Sequence, residues 1–256
     1  MTRPVVFVSF SGYRPVSALA RAAALAARFG TSLSVLLVTW DDALDTPSND
    51  RDEAWYGETL PRGVVRGYHH RVGHLVHEAI QHAQACNARI VVLPAEVARS
   101  GTCTAAISAS VGVPVLVAHE LTSGDAIVVA TDLRDCRYPI VRQAADMLDH
   151  LETTLIGIHN IDDTVTEVEL ARRHAALAMA LEPISISHEA VIEHADDPAD
   201  AVLAVARERD ADLIVVGVPR RSWFDLLLHP TVASRIVANA RRSVLLAPLE
   251  RATCTS

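Results

Sequence analysis

From Val215 the chain reads VVGVPRRSWFDLLLHPT, a strand-like apolar run that stops at Gly217, with a helix opening at Thr231. A glycine lets a ligand atom approach bare backbone, and the free N–H groups at a helix start suit an anion. The loop between them is a candidate phosphate loop. A second candidate is a histidine cluster: His69, His70, His74, His77 and His82 crowd one segment, with His74, His77 and Glu78 placed to share a helix face. Neither an HExxH pattern nor a cysteine partner accompanies them, so histidines on a polar helix face are the plainer reading.

Composition narrows the chemistry. All 23 basic residues are arginine. A Walker-type loop needs a lysine on the phosphates and a Schiff-base enzyme needs an amine, so both classes are excluded. The four cysteines, Cys86, Cys103, Cys136 and Cys254, lie far apart and suggest neither a zinc site nor a redox pair. With a net charge of −8 and scattered arginines, no nucleic-acid partner is expected. No apolar run reaches the roughly 20 residues of a membrane span, so no membrane association is expected. The start MTRPVVFVSF lacks the apolar stretch and cleavage site of a secretory signal, which makes a cytoplasmic location the expectation. No Ser–His–Asp set, carboxylate pair or general base stands out among the 31 acidic residues. The chain is not read as an enzyme.

The elements that must carry these residues come in two copies of one pattern. VVFVSF is a buried-strand candidate, followed by an alanine-rich helix from Val16 to Phe29 with a stop at Gly30, then the strand SLSVLLVT. A polar stretch containing Pro47, Gly57, Pro61 and Gly63 reads as an irregular excursion. ARIVVLP, a short helix near Thr102 to Ser110 and VPVLVA close the first copy, and HELTSGD reads as a linker. The second copy runs DAIVVATD, a helix from about Tyr138 to His150, TTLIGIHN, a helix from Val165 to Leu181 and ISISHEAVIEH. DDPADAVLAVARERD follows as a helix with Pro198 in its first turn, then DLIVVG, the loop, a helix from Thr231 to Ala240 and SVLLAP. Val5 to Val8 align with Ile127 to Ala130, and Gly101-Thr102 with Pro230-Thr231. Strands alternating with amphipathic helices predict parallel sheets covered on both faces.

The second copy, with DDPADAVL ahead of ADLIVVG and a spaced loop before the last helix, resembles the universal stress protein family. The resemblance covers nearly all of residues 124–248 and, more weakly, residues 3–119. It implies an α/β fold of two tandem Rossmann-like (adenine nucleotide alpha hydrolase-like) domains. Each would be an open, five-stranded, mainly parallel sheet of order 3-2-1-4-5 with helices on both faces. Residues 1–120 would form a degenerate domain and 124–250 one with a partly kept nucleotide loop. In that order the ligand crevice lies beyond the carboxyl ends of strands 1 and 4. Asp132 and Gly217 are expected there, with Thr231 opening the next helix.

The family's loop pattern, G-x2-G-x9-G-[ST], sets Gly217 on the first glycine, Arg220 on the second, Pro230 on the third and Thr231 on the last position. Two glycines are replaced. Proline offers no N–H, whereas Arg220 brings a guanidinium that could itself hold a phosphate. The implied cofactor is ATP or another adenine nucleotide, bound by Asp132, Gly217, Arg220 and Thr231. In the first copy Phe10 stands for Asp132, Leu93-Pro94 for the glycine, and the loop is five residues shorter, so that half is expected to be structural.

VSFSGYRPVSAL also resembles the SGGxDS loop of the ATP-pyrophosphatases, but only at Ser11-Gly12; Tyr13, Pro15 and Val16 replace the residues that would hold pyrophosphate. In the universal stress proteins the last strands of two domains pair edge to edge, which implies pairing of Val113–Ala118 with Ser243–Ala247. A pseudo-dimer within one chain, or a homodimer of chains, follows. The reading is a non-catalytic stress-response module. Its alternative is a nucleotide-independent scaffold presenting Trp55-Tyr56 and Trp223-Phe224 to a partner.

Overall fold

The computed structural model describes residues 2–40, 49–61, 63–98, 100–120, 125–133, 140–141, 144, 153–161, 164–219 and 231–249. Its first half runs β1 (Val5–Phe10), α1 (Val16–Arg28), β2 (Leu33–Thr39), α2 (Asn49–Thr59), β3 (Val65–Val72), α3 (Leu75–Ala85), β4 (Ile90–Pro94), α4 (Gly101–Val111) and β5 (Val115–Ala118). The second half runs β6 (Ala126–Ala130), β7 (Thr154–Ile161), α5 (Glu167–Leu181), β8 (His188–His194), α6 (Pro198–Glu208), β9 (Ala211–Pro219), α7 (Val232–Asn239) and β10 (Ser243–Leu249). Ile140, Val141 and Ala144, inside the helix expected after β6, are helical and buried. No helix among the described residues is long and apolar enough to cross a membrane.

All ten strands form one sheet of order β3-β2-β1-β4-β5-β10-β9-β6-β7-β8. Each half shows the expected 3-2-1-4-5 order, and its neighbours pair in parallel. The halves meet where β5 and β10 pair antiparallel, Val117 against Val244, Leu116 against Leu245 and Val115 against Leu246. That is the expected edge-to-edge join, three pairs long.

The strands are apolar throughout because both faces are covered. Val6 and Val8 point into a core roofed by α3, α4, α6 and α7, whereas Val5 and Phe7 point into one roofed by α1, α5 and Tyr56 of α2. On α1 the buried stripe is Ala18, Leu19, Ala22, Ala23 and Ala26, a helical period that lets small side chains bring the backbone close to the sheet. Both cores run across the β5–β10 seam. Arg21 of α1 reinforces the seam by pairing with Asp212 of β9 and donating to Ser243 of β10.

The described part of the polar stretch before β3, residues 49–61, is not irregular. It contains α2, whose Asp52 and Tyr56 are buried. Tyr56 meets Phe7 edge-on at 6.1 Å, and burial pushes its hydroxyl pKa well up. NDRDEAWYGET carries no apolar stripe, so periodicity could not reveal a helix held by one aromatic anchor and one buried carboxylate.

The histidine cluster is divided among elements. The ring of His69 on β3 lies tilted against that of His82 on α3, centroids 4.4 Å apart, and His82 Nε2 lies 2.9 Å from Ser34 Oγ on β2. His70 Nε2 sits 3.3 Å from a Glu53 carboxylate oxygen, close enough for attraction though not aligned as a hydrogen bond. Among the described residues no three His, Cys, Asp or Glu converge as metal ligands. Burial first, then His69 and Arg71, lower the His82 pKa to about 4. Cys86 and Cys103 are free and partly buried.

Two predictions follow from this packing. A Cβ on Gly101, the first residue of α4, would lie 1.9 Å from the Ser234 carbonyl oxygen of α7 across the seam. Gly101→Ala should therefore cost about 1–3 kcal/mol, the usual range for overpacking a core. An unchanged urea midpoint would show that the helices do not cross so closely. For His82, the folded state resists a proton that the unfolded chain accepts near its ordinary pKa. Stability should fall as pH drops from about 6.5 towards 4. His82→Gln should flatten that slope in denaturation curves taken across the window; an identical slope would remove His82 from the account.

Candidate functional site

Among the described residues, a cleft of about 1070 Å³ opens beyond the carboxyl ends of β6 and β9, where the strand order of the second half reverses. Ala130, the last residue of β6, pairs with Val216 of β9, which brings Asp132 and Gly217 to the same end of the sheet. Both residues line the cleft. Gly217 does not end its strand, however: β9 continues to Pro219, which pairs with Leu249 of β10. Thr231 caps α7, and the adjoining Val232 lines the cleft. Arg220 and Pro230, and with them Trp223-Phe224, lie outside the described residues.

One wall comes from β7 and α5. His159, 5 % exposed, places Nδ1 at 2.8 Å from the Thr131 carbonyl oxygen, and its Nε2 lies 3.1 Å from Nη1 of Arg173. A carbonyl only accepts and a guanidinium only donates, so the proton sits on Nδ1 and the ring is neutral. Arg173 in turn donates from Nε to Glu169 at 2.9 Å, one helical turn earlier. This chain of contacts fixes the first turns of α5 over the end of β7. Beside it, Asn160 Nδ2 donates to the Ala195 carbonyl at 2.9 Å, while its buried Oδ1 has no hydrogen-bond partner among the described residues. Sequence reading passed over His159, Asn160 and Arg173. The polar pair His-Asn closing the apolar strand TTLIGIHN was the available signal.

The opposite wall bears on anions. Thr231 and Ser234 form a capping box: Ser234 N–H donates to Thr231 Oγ1 at 3.2 Å, and Thr231 N–H donates to Ser234 Oγ at 2.8 Å. Two N–H groups at the helix start are thus already satisfied from within. Arg235, one turn into α7, is paired with Asp197, the cap of α6. Above Gly217 sits the side chain of Leu249, whose Cδ1 is 2.8 Å from where a Cβ on the glycine would be.

The matching strand end in the first half carries aromatic rings instead of an aspartate. Phe10, at the end of β1, stacks on Trp40 beyond β2 at 5.4 Å, and His74 meets Trp40 edge-on at 5.8 Å. Pro94 ends β4. The loop after β1 has its Gly12 N–H taken by the buried Asp52 carboxylate, at 3.0 and 3.3 Å to the two oxygens. A built-in carboxylate therefore stands where an anionic ligand would seek that donor. Trp55 is partly buried, edge-on to Tyr56 at 4.7 Å and with Arg14 over its ring at 5.6 Å, so it packs on its own half.

Comparison with known proteins agrees with this geometry. The model of the universal stress protein family matches residues 125–248. Among solved structures, one from Pseudomonas aeruginosa UCBPP-PA14, classed with the universal stress proteins, superposes with a TM-score of 0.72 at 19 % identity, covering 96 % of this chain and 93 % of that one. A functionally unknown protein from Pseudomonas aeruginosa PAO1 gives 0.68 at 19 % identity over 95 % and 92 % of the two chains. A universal stress protein from Archaeoglobus fulgidus DSM 4304 gives 0.63 at 15 % identity over 96 % and 97 %. Comparison with curated proteins finds no match in sequence. Residues 125–248 form a domain of the universal stress protein family, and a first half of the same strand order is joined to it in tandem.

Proposed function

We propose that this protein is a non-catalytic stress-response module that binds an adenine nucleotide or nucleoside in the cleft of its second half, the first half serving as its structural mate. The carrying observation is the convergence of Asp132 and Gly217, 85 positions apart in the chain, on one cleft large enough for such a ligand. An aspartate there accepts hydrogen bonds from an exocyclic amine or a ribose hydroxyl. The neutral His159 has one nitrogen on a carbonyl and the other facing Arg173. Such a ring orients a wall and is poorly placed to take a substrate proton, which favours holding a ligand over converting it.

The second reading is a nucleotide-independent scaffold, supported by the internally satisfied start of α7. Calorimetric titration with adenosine, AMP and Mg²⁺–ATP separates the two. At least one of these should bind below millimolar, and Asp132→Ala should weaken it about tenfold or more, as expected for losing a hydrogen bond to a charged group. Absence of heat with all three would favour the scaffold and end the binding reading.

A further inference from the structure

We infer that Leu249 sets the ligand class of this cleft, admitting an adenine nucleoside and excluding a polyphosphate tail. The inference rests on the binding reading above and narrows it. Gly217 has no left-handed backbone angle, so its conformation does not call for glycine. What uses the missing side chain is Leu249: a Cβ at Gly217 would lie 2.8 Å from its Cδ1 and 3.0 Å from both Cδ2 and Cγ. The isopropyl group therefore fills the space where a Cβ on Gly217 would lie and covers that face of the glycine backbone against the approach of a phosphate oxygen. Register holds it there, because Leu249 pairs with Pro219 and leans back over the residue two positions earlier on the same sheet face.

The surrounding donors agree. Pro219 has no N–H to give, and those of Thr231 and Ser234 are spent on the capping box. Among the described residues at the helix start only the Val232 and Ala233 N–H groups are left by the capping box, so an apolar side chain over Gly217 would strip water from a polyanion there with few backbone hydrogen bonds in return, which is unfavourable. At the other end, Thr131 and Asp132 line the cleft, and a carboxylate there suits the amine and hydroxyl donors of an uncharged nucleoside.

Titration calorimetry of the full chain with adenosine and with Mg²⁺–ATP tests this, on the natural protein and on Leu249→Ala. The natural protein should bind adenosine about tenfold or more tightly than ATP, a difference equal to roughly one charge-assisted hydrogen bond. Leu249→Ala should raise ATP affinity and leave adenosine within about twofold, since only the tail position has changed. ATP binding as tight as adenosine in the natural protein would overturn the inference without recourse to any variant. So would a folded Leu249→Ala protein with an unchanged ATP-to-adenosine ratio. In both cases the binding reading would survive, whereas failure of adenosine, ATP and AMP alike on both proteins would remove that reading and this one together.

Discussion

The antiparallel pairing of β5 with β10 is the contact on which the rest of the molecule depends. Each half alone would present a buried-type apolar strand at an open edge, which invites association with other chains. Pairing the two edges removes both and lets the cores on either face run through the seam. Small residues make the approach possible, Gly101 against the Ser234 carbonyl on one face, while Arg21 ties α1 to Asp212 and Ser243 on the other. Because β1 and β4 run with β5, and β6 and β9 run with β10, the antiparallel join points the two potential crevices to opposite ends of the sheet. Each crevice can then be filled or kept open without disturbing the other.

The halves have used that independence differently. In the first, the end of β1 carries Phe10 stacked on Trp40, and Asp52 takes the loop N–H of Gly12. Aromatic rings and an internal carboxylate thus stand at the strand ends of this half. In the second, Asp132 stands at the corresponding strand end, and the cleft remains open between α5, β7 and β9. Under the proposed function the same topology would serve a structural half and a binding half, the difference lying in a few side chains at strand ends rather than in the sheet.

Much of this was legible in the sequence. VVFVSF, SLSVLLVT and DLIVVG read as strands because a sheet covered on both faces demands continuous apolar runs. The strand order came with the family resemblance and the fold shows it; Asp132 and Gly217, expected at one crevice, both line the cleft, although β9 runs on past Gly217 to Pro219. What escaped was anything held by a single long-range contact. α2 has no stripe and depends on Tyr56 and Asp52; β3, Val65–Val72, is a sheet edge with a weak alternation. The Leu249 contact over Gly217 joins two strands through a diagonal that no local pattern encodes. His159 and Arg173 lie fourteen residues apart on different elements, so their contact is a product of packing alone.

The division of labour between the halves is the central claim, and amide chemical-shift mapping with adenosine tests it most directly. In a titration of the ¹⁵N-labelled chain, the account predicts that the amides of Thr131, Asp132, Asn160 and Gly217 shift together and saturate, while those of Ser11, Gly12 and Trp40 stay in place. Saturating shifts at Ser11, Gly12 and Trp40, with the second-half residues unmoved, would contradict it.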